Sequence, residues 1–202
     1  MAVRRTGVVQ VGAGDGRRRR GCRCRQRGCG GARESGLCGC APSGGTPRRG
    51  VVDFECEACR AAEPLVAELK EDYGDRITFI HRYFPLPGRL NSGTAALAAE
   101  AAARQGRYTP MVTKLFETQP EWGEKQDSQA ALFRAYAEGL GLDMARFDQD
   151  VVAEDTKERI RRDIADGKAM GVSGTPAFFL NGEKITLNTA AQFRQLLDDA
   201  AR

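Results

Sequence analysis

All 14 aromatic residues of this 202-residue chain lie after residue 50. A folded core is built from buried aromatic and aliphatic side chains, so the first 50 residues have almost nothing to build one with. They hold 12 Arg, no Lys and two acids, Asp15 and Glu34, together with 13 of the 24 glycines and five of the seven cysteines. Their formal charge is +10, and that of residues 51–202 is −6. Two compositions are joined here, and the sequence divides into a tail, 1–50, and one domain, 51–202, an ordinary length for a single core.

Four readings of the tail compete. Val8 to Gly16 resembles a strand entering a glycine-rich phosphate loop, but Arg17 to Gly21 opens no helix whose amides would hold a phosphate. Cys22, Cys24, Cys29, Cys38 and Cys40 offer thiolates to zinc. Their close pairs are separated by one residue, tighter than the two to four usual in zinc knuckles. The arginines would bind nucleic acid through phosphate, without aromatics to stack on bases. The favoured reading is a disordered segment, or an artefact of the gene start, since Arg/Gly/Ala/Cys bias without Lys is what an unselected GC-rich frame encodes. No metal and no nucleic-acid partner is expected.

Within 51–202, Val51 to Phe54 is a short β-type run. A helical pattern follows with Leu65, Val66, Leu69 and Tyr73 on one face, and then a strand over Ile77–Phe84. Residues 91–170 read as helical throughout, with apolar stripes such as Met111/Leu115/Phe116 and Leu132/Phe133/Tyr136/Ala137/Leu140 serving as core. Trp122 is placed over an interhelical loop. Ala177–Leu180 is a strand, Asn181-Gly182 a hairpin turn, Lys184–Leu187 the return strand, and Thr189–Ala200 a terminal helix. The order is β-α-β, a helical block, then β-β-α. No apolar run of 18 residues or of signal-peptide length is seen.

Between the first strand and the first helix stands Cys56-Glu57-Ala58-Cys59. A C-x-x-C at that junction is a redox signal. The unpaired amides and dipole of the helix N-terminus favour a thiolate at Cys56, and Cys59, one turn later, is within reach to resolve a mixed disulfide. Exposure separates their roles: Cys56 faces solvent and Cys59 lies against the helix. Two other readings remain, half of a zinc site completed by His81 and others, and a pair of inert cysteines.

Further residues carry a resemblance. Pro64 follows Cys59 by five residues, Arg82-Tyr83-Phe84-Pro85-Leu86 ends the second strand, Gln105-Gly106-Arg107-Tyr108 lies in the helical block, and Gly171-Val172-Ser173-Gly174-Thr175-Pro176 precedes the third strand. In this order they resemble the DsbA-like branch of the thioredoxin superfamily, an α/β thioredoxin-like fold split by a helical insertion. The resemblance implies a thiol–disulfide oxidoreductase with no cofactor beyond its dithiol. It implies a cis Thr175–Pro176 bond beside Cys56, whose loop pairs with an extended substrate segment and whose proline ring keeps metal away. It also implies a monomer of the cell envelope with cysteine-bearing protein substrates, recycled by a redox partner such as a membrane oxidoreductase. The runners-up are a reductase of one dedicated client and a redox-inactive, chaperone-like peptide-binding module.

Two departures bear on the chemistry. Glu57-Ala58 replaces the Pro-His of the strongly oxidising members, and Asp53, Glu55 and Glu57 surround the nucleophile with carboxylates. Like charge disfavours a thiolate, which points to a milder oxidant or a reductase. The strand before the active site is short, with only Val51–Phe54 after Arg48-Arg49-Gly50, which weakens the sheet. His81 is read as a strand residue rather than a catalyst.

Overall fold

The computed structural model describes residues 46–201. The expectations about a phosphate loop at 8–16, zinc at Cys22 to Cys40 and a disordered tail lie outside those residues. The described elements run β1 (Thr46–Val52), α1 (Glu57–Tyr73), β2 (Ile77–Tyr83), α2 (Ser92–Ala103), α3 (Tyr108–Glu117), α4 (Gln119–Trp122), α5 (Ala130–Gly139), α6 (Met144–Val152), α7 (Glu154–Ala169), β3 (Ala177–Leu180), β4 (Glu183–Ile185) and α8 (Ala190–Ala200). The four strands form one sheet in the order β2-β1-β3-β4. This is a thioredoxin-like α/β fold with helices α2 to α7 inserted between its two halves.

The first strand corrects the sequence reading. It starts at Thr46, not Val51, and stops at Val52. It pairs parallel with β2 from Thr46↔Ile77 to Val52↔Tyr83, and antiparallel with β3 from Arg48↔Leu180 to Val51↔Ala177. The half-strand expected to be missing belongs to one of the two inner strands of the sheet. Arg48-Arg49-Gly50 has no strand signature in its side chains, but two flanking ladders hold it through the backbone, and tertiary context overrides propensity in sheets. The Asn181-Gly182 hairpin is as expected, with φ positive at both residues (54° and 87°).

Alternation along the strands sends side chains to two covered faces. Leu69 and Tyr73 of α1 and Phe193 and Leu197 of α8 pack with Ile77, Phe79 and Phe178 on one face. Val51, Phe84, Ala177 and Phe179 pack on the other, against Ile164 and Met170 of the α7 end. The insertion has its own core, in which alanine-rich α2 lets α3, α5, α6 and α7 approach closely. Trp122 is a correction too. It belongs to the one-turn helix α4 and is fully buried, edge-on to Phe133 at 4.8 Å, with Nε1 donating to the Leu115 carbonyl at 3.1 Å.

A buried polar cluster fastens α7 to the end of β2. Asp163, with no exposure, accepts from the Tyr83 amide at 3.1 Å and pairs with Arg82 and Arg159. Glu100 of α2 accepts from the Tyr83 hydroxyl at 2.9 Å. Because α7 leads directly into residues 171–176, this cluster also fixes where that loop begins. Gly167 of α7 faces the Phe84 ring so closely that a Cβ would stand 2.8 Å from two ring carbons. Gly167→Ala should therefore destabilise the protein by about 1–3 kcal/mol through overpacking, despite alanine's helix advantage of about 1 kcal/mol. Urea unfolding of the two proteins reads the difference directly.

Candidate active site

The turn after β1 carries the site. Cys56 caps α1 with extended backbone (φ −87°, ψ 120°), and its amide donates to the Asp53 carbonyl at 3.2 Å. The 17-residue helix behind it presents unpaired N–H groups and the positive end of its dipole to the thiol. Pro64 lies inside α1, where its missing N–H leaves a gap in the helical ladder.

The second half of the site arrives from the far end of the insertion. The Thr175–Pro176 bond is cis, and the Cys56 thiol donates to the Thr175 carbonyl at 3.3 Å. Cys59 is a free thiol like Cys56. It shares a cavity of about 30 Å³ with Pro176, Glu63 and His81. Burial raises the Glu63 carboxyl above its ordinary range.

Exposure does not separate the two cysteines as the sequence reading expected. Both are buried, Cys56 at 6% exposure and Cys59 at 3%, because the cis-proline loop closes over the turn. Burial pushes the Cys59 thiol up to about 12. His81 is driven down to about 3, chiefly by burial, so its ring is neutral near pH 7, and Nδ1 shares a 3.0 Å hydrogen bond with the Tyr108 hydroxyl. A zinc site here has no support among the described residues, where no group of three or more candidate ligands comes together.

The three acidic neighbours of Cys56 do something the sequence did not suggest. Asp53 is buried and accepts from the Glu55 amide (2.8 Å), the Leu86 amide (2.9 Å) and the Ser92 hydroxyl. Glu55, also buried, accepts from the Asn91 amide and the Glu124 amide, each at 2.9 Å. The backbone at Glu124 has a positive φ of 62°. Glu57 is held by both Nη atoms of Arg89 at 3.1 Å, and that pairing keeps its carboxyl below the usual range. The carboxylates thus mount the 86–92 loop and the α4–α5 connection onto the turn that carries Cys56. They are not bare charges around it.

Two residues of the site were missed. Arg89 closes over the turn. Gln119 of α4 donates to the carbonyls of Phe54 (2.7 Å) and Cys56 (3.0 Å) and accepts from Arg60 Nε at 3.1 Å, tying the insertion to the active-site turn. Neither has a local signature, since each acts across more than 30 residues. Ala58 is exposed at the surface of the turn.

Residues 50–199 match the family model described as thioredoxin. The chain belongs to the thioredoxin family. Its fold, helical insertion included, is shared with solved DsbA proteins. It is similar to a thioredoxin-like oxidoreductase from Silicibacter pomeroyi, at 26% identity and a TM-score of 0.65, over 79% of this chain and 88% of that one. The fold is also that of the thiol-disulfide exchange protein alpha-DsbA2 from Wolbachia pipientis, at 20% identity and a TM-score of 0.66, over 79% and 83% of the two chains. Among curated proteins it is 36% identical over 137 residues to Na(+)/H(+) antiporter NhaA 1 of Mycobacterium sp. (strain KMS), covering 65% of this chain and 21% of that protein. The chain thus spans about a fifth of the length of the curated relatives it matches.

A thiol with a pKa of about 12 is ionised in about one molecule in ten thousand at pH 8, and the thiolate is the reactive form. In the native reduced protein at pH 8, iodoacetamide should modify Cys56 well before Cys59. Cys59 should catch up only as the pH approaches 12 or on unfolding. Peptide mass mapping over time reads the order.

Proposed function

We propose that the chain exchanges disulfides with cysteines of protein substrates through Cys56 and Cys59. The observation that carries this is the Cys56 thiol at a helix N-terminus, 3.3 Å from the carbonyl before a cis proline. In the reducing direction, Cys56 thiolate attacks a client disulfide. A Cys56–client bond forms, and the other client sulfur leaves as a thiolate. Cys59 then attacks Cys56, forming the intramolecular disulfide and releasing the second client sulfur. Two electrons have passed to the client, and the oxidising direction runs the same steps backwards.

The roles divide by environment. Cys59, protonated by its burial, stays latent until the mixed disulfide forms. Glu63, in the same cavity with a raised pKa, is placed to take the proton it must then release. Thr175 and Pro176 present a backbone edge to which an extended client segment adds as a strand. Glu57 and Ala58 are exposed on the turn and border the approach to Cys56.

The dithiol holds only one pair of electrons, so a recycling partner must reset it. The setting we infer is the cell envelope, where disulfides persist. Among the described residues no helix is long and apolar enough to cross a membrane. The matched curated relatives are named as antiporters and are about five times longer than the stretch they share with this chain. That favours a membrane-held protein as client or recycling partner.

The test is a pair of substitutions assayed on a disulfide-bonded client such as insulin. Cys56→Ser should abolish exchange. Cys59→Ser should leave attack intact and accumulate a client adduct on Cys56, visible on a non-reducing gel. Undiminished exchange in Cys56→Ser would refute the assignment.

A further inference from the structure

We propose that Arg89 is a positioning residue that sets the redox poise of Cys56, and that Glu57 holds its guanidinium in place and partly cancels its charge. This rests on the oxidoreductase reading above and names what tunes that site. Arg89 Nη1 donates to the Glu55 carbonyl at 2.6 Å and to Glu57 Oε1 at 3.1 Å, and Nη2 donates to Glu57 Oε2 at 3.1 Å. Those two residues are the immediate neighbours of Cys56, so one cation clasps the chain on both sides of the thiol.

The clasp is held in place beforehand. The Arg89 amide donates to the Leu86 carbonyl at 3.3 Å. The Leu86 amide is bound by Asp53 and the Asn91 amide by Glu55, both buried carboxylates. The loop is therefore nailed down on either side of Arg89, and little freedom is lost in keeping the guanidinium at the turn. Arg89 is about a quarter exposed and Glu57 about half, so water and salt moderate the charges without removing them.

The charges oppose each other in effect. A cation beside the thiol favours the thiolate and an anion disfavours it. Stabilising the thiolate stabilises the reduced form and makes the disulfide the stronger oxidant. Glu-Ala between the cysteines supplies no positive group of its own, and Arg89 brings one from 33 residues away. It offsets Glu57, which alone would weaken the thiolate.

The experiment uses the full chain with Cys22, Cys24, Cys29, Cys38 and Cys40 replaced by Ser, so that Cys56 and Cys59 are the only thiols. Wild type in this background, Arg89→Gln, Arg89→Lys and Glu57→Gln are equilibrated with glutathione redox buffers at low and high salt. The Cys56 pKa is followed by thiolate absorbance. Arg89→Gln should raise that pKa and shift the equilibrium about tenfold toward the protein disulfide, a fall of about 30 mV for a two-electron couple. Glu57→Gln should move both quantities the opposite way by several-fold, Arg89→Lys should stay near wild type, and high salt should shrink the differences. A purely mechanical role for the clasp would give shifts of the same sign, or none, in Arg89→Gln and Glu57→Gln, and would overturn the proposal. Glu57 is half-exposed, so its variant decides the sign even if Arg89→Gln folds poorly. A wild-type background that does not equilibrate with glutathione at all would instead overturn the oxidoreductase reading on which the proposal stands.

Discussion

The Cys56 thiol meets the Thr175 carbonyl across 119 residues of sequence, and the fold supplies the conditions for that meeting. The thiol has to stand at the end of β1 and the carbonyl at the start of β3. Those strands are antiparallel neighbours, with Val51 opposite Ala177. Their shared ladder brings the turn at 53–56 and the loop at 171–176 to the same edge of the sheet. Everything between β2 and β3 must leave the sheet and return in register, and the insertion does so as helices packed around alanine-rich α2.

Buried acidic groups hold this arrangement at both ends. Asp163 pins α7 to the amide of Tyr83 and to two arginines, fixing the departure point of the proline loop. Asp53 and Glu55 pin the 86–92 loop and the chain at Glu124 to the Cys56 turn. Buried carboxylates are tolerable only when their oxygens are met by donors. Here the donors are largely backbone amides of irregular segments, which need partners of their own. Each carboxylate therefore satisfies groups that would otherwise be orphaned, and in doing so it shapes the site.

Periodicity made the helices, the later strands and the order of elements legible in the sequence. The C-x-x-C at a strand–helix junction and the Thr-Pro before a strand marked the two halves of the site. What could not be read depends on who meets whom in space. Arg48-Arg49-Gly50 becomes part of an inner strand because two ladders claim its backbone. Trp122 is core because Phe133 and the Leu115 carbonyl come to it. Asp53, Glu55 and Glu57 looked like three charges repelling a thiolate, since a sequence shows the charge and not the partner. Arg89 and Gln119 were invisible because their targets lie 30 to 65 residues away.

The proposed chemistry requires Cys56 and Cys59 to act as one reversible dithiol. The most direct test is mass spectrometry of the folded chain after oxidation and then reduction, with alkylation at each stage and peptide mapping. The expected result is a disulfide between Cys56 and Cys59 that forms quantitatively with two electrons removed, and reopens to two alkylatable thiols with the fold retained throughout. A folded protein whose Cys56 and Cys59 stay separate thiols under oxidant, or pair only with other cysteines, would contradict it.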